Sequence, residues 1–148
     1  MNNDYESLYA RYRKAAGLTQ ERAAELLGVA VRTLAAWERG ESTPPNARVL
    51  AMVDIYAAPT LAIEHLRYTN IIAYDVLPAV RRAPLAQAVC GLIGAMKKLE
   101  AIHAGDRLLE IAADGEVDEI EQADFEQILI ELEPVVAAAM SLRYATEG

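Results

Sequence analysis

Residues 17–44 read GLTQERAAELLGVAVRTLAAWERGESTP, and glycine divides this stretch into two short helical segments. Thr19 can cap the first segment through its hydroxyl, and Gly28 can end it because glycine adopts the left-handed conformation that a helix end needs. Only Val29 separates that glycine from the second segment, AVRTLAAWER, which ends at Gly40. Two short helices joined by a tight turn that contains glycine are typical of a helix-turn-helix.

Helical periodicity continues on both sides of these two segments. Residues 4–16 predict a first helix that ends at Gly17, with one aromatic and aliphatic stripe. This stripe is formed by Tyr5, Leu8, Tyr9 and Tyr12. The two prolines in ESTPPN end the helical pattern, and Asn46 can cap the next helix. Residues 47–57 and 59–68 then predict two further helices.

The second half of the chain predicts a helical hairpin. Residues 69–84 contain two prolines and predict a connector with a helical turn. After it, apolar residues recur at alternating spacings of three and four in two long stretches, which predict an antiparallel pair of helices. The first helix should run to about Ala112, and a kink or a restart is expected in the second near Pro134. The two apolar seams are Leu85, Val89, Leu92, Met96 and Leu99, and Phe125, Ile128, Leu132, Val135, Ala139 and Leu142.

These patterns predict an all-α protein with no sheet. We expect a five-helix domain that contains the helix-turn-helix at residues 1–68, a connector at 69–84 and an acidic helical hairpin at 85–148. The 148 residues suffice for a small domain with a helical appendage, and not for two large domains.

The net charge of −8 is unevenly distributed along the chain. Residues 1–68 carry eight Lys and Arg and eight Asp and Glu, a balance of zero, whereas residues 69–148 carry six against fourteen, a balance of −8. Phosphate binding depends on local positive charge, so a neutral first half can still present basic side chains to DNA. We expect the acidic second half to face away from DNA.

Other features narrow the class of protein. The single Cys90 has no partner for an intrachain disulfide, which fits a reducing cytoplasm, and its apolar neighbours predict a buried side chain. No signal-peptide pattern and no apolar run of membrane-spanning length is present, so we expect a soluble cytoplasmic protein. His65 and His103 are isolated in helical stretches, and no nucleophile lies at a usable spacing from a base. We therefore expect no enzyme, cofactor or metal site.

The acidic loop EIAADGEVDEIE, residues 110–121, partly matches a calcium-binding loop. Gly115 takes the invariant glycine position and Glu121 the final ligand position, but Ala112 stands where the third position needs a ligand. The ligand set is therefore defective. An acidic turn between helices, with Gly115 at the bend and Asp118 capping the next helix, is the better interpretation.

The stretch quoted above resembles the DNA-binding domain of the phage repressor and Cro family, often called XRE. The resemblance covers about residues 5–68 and implies a compact bundle of five helices that binds DNA. In that family an arginine near the end of helix one pairs with the glutamate after the tryptophan, which implies an ion pair between Arg13 and Glu38. Two solvated charges are the alternative. The residues at family positions with family spacing are Gly17, Leu18, Thr19, Gln20, Ala23, Leu27, Gly28, Val29, Trp37, Glu38, Arg39 and Gly40.

The resemblance also implies which residues contact DNA. Gln20 would contact the DNA backbone, Arg39 and Asn46 would reach phosphate or sugar, and the third helix would lie in the major groove. We expect Arg32 to read a base, because a guanidinium can bond to O6 and N7 of guanine together. The full set of predicted DNA-binding residues is Gln20, Val31, Arg32, Thr33, Ala36, Arg39 and Asn46.

Three positions depart from the family pattern. Ala30 cannot accept the capping hydrogen bond that a serine usually accepts, and Val31 and Ala36 stand where long polar side chains are common. Few side chains of the third helix can therefore read bases directly, and DNA shape and paired half-sites would have to add specificity. A helix-turn-helix fold with decayed DNA affinity is the alternative.

The sequence predicts a dimeric repressor that binds a double-stranded DNA operator. Apolar residues beside the two seams widen the apolar stripe of residues 85–145, so the hairpin needs a second partner. We expect it to form a homodimer whose heads reach half-sites about 34 Å apart, or to fold back on the first domain. The rival hypothesis is an antitoxin-like or adaptor protein whose acidic hairpin holds a protein partner. Ligand sensing by the hairpin has no motif to support it.

Overall fold

The computed structural model describes residues 7–145, and this part of the chain is all-α, as the sequence predicts. It contains an N-terminal helix-turn-helix region and a long C-terminal helix. The chain divides into two compact units, with the boundary between Leu77 and Pro78. The helices of the described residues are α1 (Leu8–Ala15), α2 (Gln20–Leu27), α3 (Val31–Glu38), α4 (Asn46–Ile55), α5 (Leu61–Thr69), α6 (Ile71–Val76), α7 (Leu85–Ala101), α8 (Ala104–Ile111) and α9 (Gln122–Arg143).

The helix-turn-helix has the local signals that its sequence predicts. The Thr19 hydroxyl accepts a hydrogen bond from the backbone N–H of Arg22 and caps α2. Gly28 ends α2 with φ of 63°, a left-handed conformation that a side chain would strain. The next helix, α3, begins at Val31 without a side-chain cap from Ala30.

The core of the first unit lies between α1, α2, α3, α4 and α5. Ala23 of α2 is fully buried, in one cluster with Leu34 and Trp37 of α3. The small side chain of Ala23 lets α2 and α3 pack closely at this point. Tyr9 of α1 and Met52 of α4 complete the same cluster. This packing fixes one flank of α3 against the protein.

Two boundaries in the first unit differ from the sequence prediction. The first helix begins at Leu8, because the Ser7 hydroxyl caps it by accepting from the backbone N–H of Ala10. The predicted start of that helix, with Tyr5, lies outside the described residues. Asn46 is the first residue of α4 and not its cap, which is Pro45.

The predicted connector contains a full short helix. Asn70 caps α6 by accepting from the backbone N–H groups of Ile72 and Ala73. No residue of α6 is buried, and its large side chains are exposed. The prolines predicted a connector with one helical turn. The apolar segment before them instead forms a helix of six residues, which Asn70 caps.

The second unit is an antiparallel helical hairpin. The backbone N–H of Arg81, just before α7, donates to the hydroxyl of Ser141 near the end of α9 at 3.2 Å. At the other end, Arg107 of α8 forms an ion pair with Asp124 near the start of α9. The end of α9 therefore lies beside the start of α7, and the start of α9 lies beside α8.

The first long helix of this hairpin is broken, which corrects the prediction of one helix to about Ala112. It ends at Ala101 and restarts at Ala104. His103 lies at the break with φ of 53°, so it is not an ordinary helix residue. Ile102 and His103, which form the break, are neither glycine nor proline, although Gly105 follows in the first turn of α8.

The buried seam of α7 is also displaced from the predicted one. Ala88 and Ala95 are buried, and Leu92 and Leu99 are half-buried. The exposed members of the predicted seam are Leu85, Val89 and Met96. Small residues face α9 because they let the helices approach, and the larger apolar side chains lie on the outer flank.

The remaining predictions for the second unit have mixed outcomes. On α9, the predicted seam is buried or half-buried except for Ala139. The helix continues through Pro134, so a restart there is wrong, while a kink stays a prediction. Cys90 is exposed, which corrects the expectation of a buried thiol. No helix in residues 7–145 has both the length and the apolar content that a bilayer crossing requires.

The acidic loop is a structured turn between α8 and α9. The Asp118 carboxylate accepts from the backbone N–H groups of Ile120 and Glu121, and Glu121 accepts in return from the backbone N–H of Asp118. This reciprocal arrangement closes a turn at residues 118–121, ahead of α9. The N-cap of α9 is Glu121, whose side chain makes no capping bond, so the prediction that Asp118 caps the helix itself is wrong. Gly115 bends the chain with φ of 83°, as predicted.

Added side-chain volume at two neighbouring residues of α7 should change the stability of the protein in opposite directions. A Cβ at Gly94 would meet nothing within 4 Å, so Gly94→Ala should raise the free energy of unfolding by about 1 kcal/mol through helix propensity. Ala95 is buried on the seam, so Ala95→Leu should lower it by about 1 to 3 kcal/mol. Urea unfolding followed by circular dichroism measures both, and an unchanged stability of Ala95→Leu would contradict the seam described above.

Candidate nucleic-acid interface

The outer flank of α3 is open to solvent. Val31 is 39% exposed and Arg32 is exposed, while Thr33 and Ala36 are half-buried. The opposite flank, which carries Leu34 and Trp37, is buried in the core described above. The predicted base-facing residues therefore share an accessible flank of α3, and none of them is enclosed by the protein.

The two arginines of this region are in different electrostatic states. Arg39 donates from Nε to Oε1 of Glu41 at 2.5 Å and from Nη2 to Oε2 at 2.9 Å, and both side chains are exposed. The hydrogen bonds from Arg39 hold the pKa of the Glu41 carboxyl below its usual value, so both groups are charged at neutral pH. Arg32 makes no ion pair or hydrogen bond within residues 7–145. Within residues 7–145, its guanidinium is therefore the cation of α3 that has no protein partner.

A buried ion pair attaches α3 to α1. Arg13 donates from Nε to Oε1 of Glu38 at 2.6 Å and from Nη2 to Oε2 at 2.9 Å. A third bond runs from Arg13 Nη1 to the carbonyl oxygen of Leu18 at 2.7 Å. The two side chains are only 9% and 5% exposed, so they are not two solvated charges. This bidentate geometry fixes the end of α3 and the end of α1 relative to each other.

Gln20 takes part in the same network. Its side-chain Nε2 donates to Oε2 of Glu38 at 2.7 Å. The amide group predicted to contact the DNA backbone is thus held internally, at the start of α2. The sequence contains no signal for this bond, because residues 18 positions apart meet only through the fold.

Two further arginines lie on α2 and α4 and were not predicted as site residues. Arg22 is exposed and pairs with Glu25 one turn along α2. Arg48 is exposed and donates from Nη1 to the carbonyl oxygen of Leu27 at 2.7 Å, which satisfies a carbonyl at the end of α2. Arg48 therefore joins α4 to the helix-turn-helix.

Asn46 belongs to a second polar network that the sequence did not reveal. Its Oδ1 lies 3.1 Å from Nε2 of His65, and Nδ1 of His65 lies 2.9 Å from the Tyr9 hydroxyl. Tyr9 and His65 are 2% and 3% exposed, whereas Asn46 is exposed. Burial lowers the pKa of His65, so the ring is neutral at pH 7. This network runs from the core to a predicted DNA-contact residue.

The accessible flank, its free arginine and the surrounding backbone donors can bind a polyanion. The first backbone N–H groups of α3 have no side-chain cap, and helix N-termini favour negative charge. Gln20 and Asn46 each keep part of their amide available beside this helix, because the bonds above use only one of the two amide heteroatoms. Among the described residues no group of three or more His, Cys, Asp and Glu could hold a metal ion.

Residues 10–66 match the family model described as a helix-turn-helix domain. This match covers the described helices α1 to α5 apart from their outermost residues. No curated protein and no solved structure matches the chain. The first unit therefore contains a helix-turn-helix domain, a kind of domain found in DNA-binding regulators.

Breaking the buried ion pair should destabilise the protein strongly. Glu38→Gln keeps the shape of the side chain but leaves the Arg13 guanidinium buried without its counter-charge, so the free energy of unfolding should fall by about 3 to 5 kcal/mol. Glu25→Gln on α2 is the matched control, because its pair with Arg22 is exposed and should contribute about 0.5 kcal/mol or less. Thermal unfolding followed by Trp37 fluorescence compares them, and equal effects would refute the locking role of the pair.

Proposed function

We propose that this protein is a sequence-specific transcriptional regulator of the phage repressor and Cro type, which binds operator DNA as a homodimer and represses by occupying it. The observation that supports this most strongly is the accessible flank of α3, whose one unpaired guanidinium belongs to Arg32 within the described residues. The buried pair of Arg13 and Glu38 keeps this helix in place behind the flank. A rigid, exposed helix of this kind suits insertion into the major groove.

Base readout in this proposal depends chiefly on Arg32. Its guanidinium can donate two hydrogen bonds to O6 and N7 of guanine, and such a pair contributes about 1 to 3 kcal/mol of discrimination. Val31 and Ala36 can contact only thymine methyl groups, and Thr33 can donate one hydrogen bond. A single domain therefore recognises few bases.

Phosphate contacts would come from the residues around α3. Arg39 can exchange its exposed partner Glu41 for a phosphate, because an exposed ion pair is weak. Asn46 and Gln20 would add neutral hydrogen bonds beside it. These contacts set the register of the helix in the groove and carry no sequence information themselves.

Replacing Arg32 should remove one defined base preference. Selection of binding sites from random duplex DNA should recover a palindrome with wild-type protein, and Arg32→Ala should lose the preference for one guanine and about 1 to 3 kcal/mol of affinity. Lys97→Ala, an exposed cation of α7 in the second unit, should change neither.

The opposite result would favour the rival function. If the wild-type protein retains all sequences equally and binding depends only slightly on salt, the helix-turn-helix is not reading DNA. The second unit would then carry the function by binding a protein partner, as in an antitoxin-like or adaptor protein.

Dimerisation in this proposal uses an exposed apolar flank of the hairpin. Four large side chains of α7 are each 40% to 48% exposed, and two of α9 are 45% and 51% exposed. Their spacing of three, four or seven residues places each set on one side of its helix. The six residues are Leu85, Val89, Ile93, Met96, Leu129 and Val136.

The exposed sets of α7 and α9 lie on the same side of the hairpin. With about 100° per residue, each exposed set lies roughly 90° further round its helix than the buried seam, in the same rotational sense. In an antiparallel pair the same rotational sense leads to the same side. Leu85 and Val136 are therefore at one end of a shared apolar face, and Met96 and Leu129 at the other, because α7 and α9 run in opposite directions.

A second copy of the hairpin is the partner that this face fits best. Two antiparallel hairpins that pack face to face form a four-helix bundle, in which each apolar face covers the other. The acidic side chains of the hairpin then remain at the solvent surface. The resulting dimer would carry two helix-turn-helix units, one for each half-site.

A charge in the middle of this face should separate the dimer. Ile93→Asp should shift the protein from dimer to monomer in analytical ultracentrifugation, because a buried carboxylate without a partner is costly. Gln87→Asp adds the same charge to an exposed position on the other side of α7 and should leave the dimer intact. A monomeric wild-type protein at micromolar concentration would refute this interface.

A further inference from the structure

The polar network of Tyr9, His65 and Asn46 leads from the interior of the first unit to its surface. Tyr9 is on α1, His65 on α5 and Asn46 on α4, so three helices meet at one imidazole ring. Both nitrogen atoms of that ring have a hydrogen-bond partner. The arrangement of protons along this network determines which end of the Asn46 carboxamide faces solvent.

The Tyr9 hydroxyl determines the tautomer of His65. This hydroxyl is buried, and Nδ1 of His65 is its only hydrogen-bond partner within residues 7–145. Burial raises the pKa of Tyr9 to about 12, so the hydroxyl keeps its proton. If Nδ1 carried a proton, the hydroxyl hydrogen would have no acceptor, and a buried donor without a partner is unfavourable. The hydroxyl therefore donates to Nδ1, and the ring proton lies on Nε2.

The ring proton in turn orients Asn46. With a proton on Nε2, His65 donates to Oδ1 of Asn46, in agreement with the 3.1 Å separation of these atoms. The carboxamide oxygen then faces inward, and the NH₂ group is left for solvent or a ligand. An outward NH₂ group is a hydrogen-bond donor, whereas the flipped carboxamide would present an acceptor that repels a phosphate oxygen.

We infer that His65 is a positioning residue for DNA binding, which holds Asn46 so that its NH₂ group donates to a backbone phosphate of the duplex. This inference rests on the proposed function, because it assigns a role within the same interface. The tautomer itself belongs to the free protein and does not depend on DNA. It can therefore be tested separately.

The first measurement is the protonation state of the His65 ring. Long-range ¹H–¹⁵N correlation spectra of the free protein at pH 7 should show the Nε2–H tautomer. The Nδ1–H tautomer or the doubly protonated ring would overturn the inference, whatever the protein does with DNA.

The second measurement is affinity for the selected operator as a function of salt. Asn46→Ala should weaken binding about three- to tenfold, the loss expected for one hydrogen bond, without changing the salt dependence, because a neutral amide displaces no counterion. Arg39→Ala is the contrasting variant, since loss of a charged phosphate contact should reduce the salt slope by about 1. Binding by wild-type protein with no effect of Asn46→Ala would overturn the inference, whereas absence of any binding by the wild type would overturn the proposed function.

The third measurement separates positioning from a merely structural role. His65→Leu should weaken operator binding as much as Asn46→Ala, and the double variant should be no weaker than either single variant. His65→Gln should restore binding, because its amide nitrogen can donate to Asn46 in place of Nε2. Circular dichroism and Trp37 fluorescence establish that each variant is folded. Additive losses, or a folded His65→Gln that binds no better than His65→Leu, would show that His65 does not act through Asn46.

Discussion

The bidentate ion pair between Arg13 and Glu38 is the constraint on which the geometry of the helix-turn-helix depends. Removing two charges from water is costly, and only good geometry with further hydrogen bonds compensates for that cost. Here Leu18 and Gln20 supply those further bonds. The pair joins α1, α2 and α3 at a single point, so it fixes where the end of α3 lies relative to the end of α1.

The two units of the chain bury their apolar residues in different ways. The first unit closes around Leu34 and Met52, which are fully buried, and leaves the flank of α3 that carries Val31 and Arg32 outside. The second unit is a two-helix hairpin with a break, and two helices cannot cover a wide apolar stripe on their own. Alanines at 88 and 95 occupy its inner seam, while larger residues remain outside. The core between α1 and α5 is thus covered within the first unit, whereas α6 and the hairpin of the second unit both leave large apolar side chains exposed.

Local signals were predictable from the sequence, and long-range contacts were not. Glycine at helix ends, the Thr19 cap and the bend at Gly115 depend on neighbouring residues, so the sequence predicts them correctly. The α7 seam was misassigned because periodicity favours large apolar residues, whereas close helix packing favours alanine. The break at His103 was missed because its one nearby glycine, Gly105, lies inside the next helix and not at the break. The bond between Tyr9 and His65 joins positions 56 residues apart and follows only from the folded structure.

The proposed DNA-contact residues differ in how much internal bonding each would lose on binding DNA. Gln20, Arg39 and Asn46 each already have a partner within the protein, so DNA bound as proposed would have to replace that partner or use the part of the group that remains. Replacement is easy for the exposed pair of Arg39 and unfavourable for the buried network of Glu38, where it would leave a charge without full compensation. In the proposed complex Arg32 would enter the groove without losing a bond to any residue of 7–145. In the proposed complex one such contact per domain would give modest discrimination, and a symmetric dimer would make that contact twice on the same operator, so the proposed recognition depends on the proposed dimer.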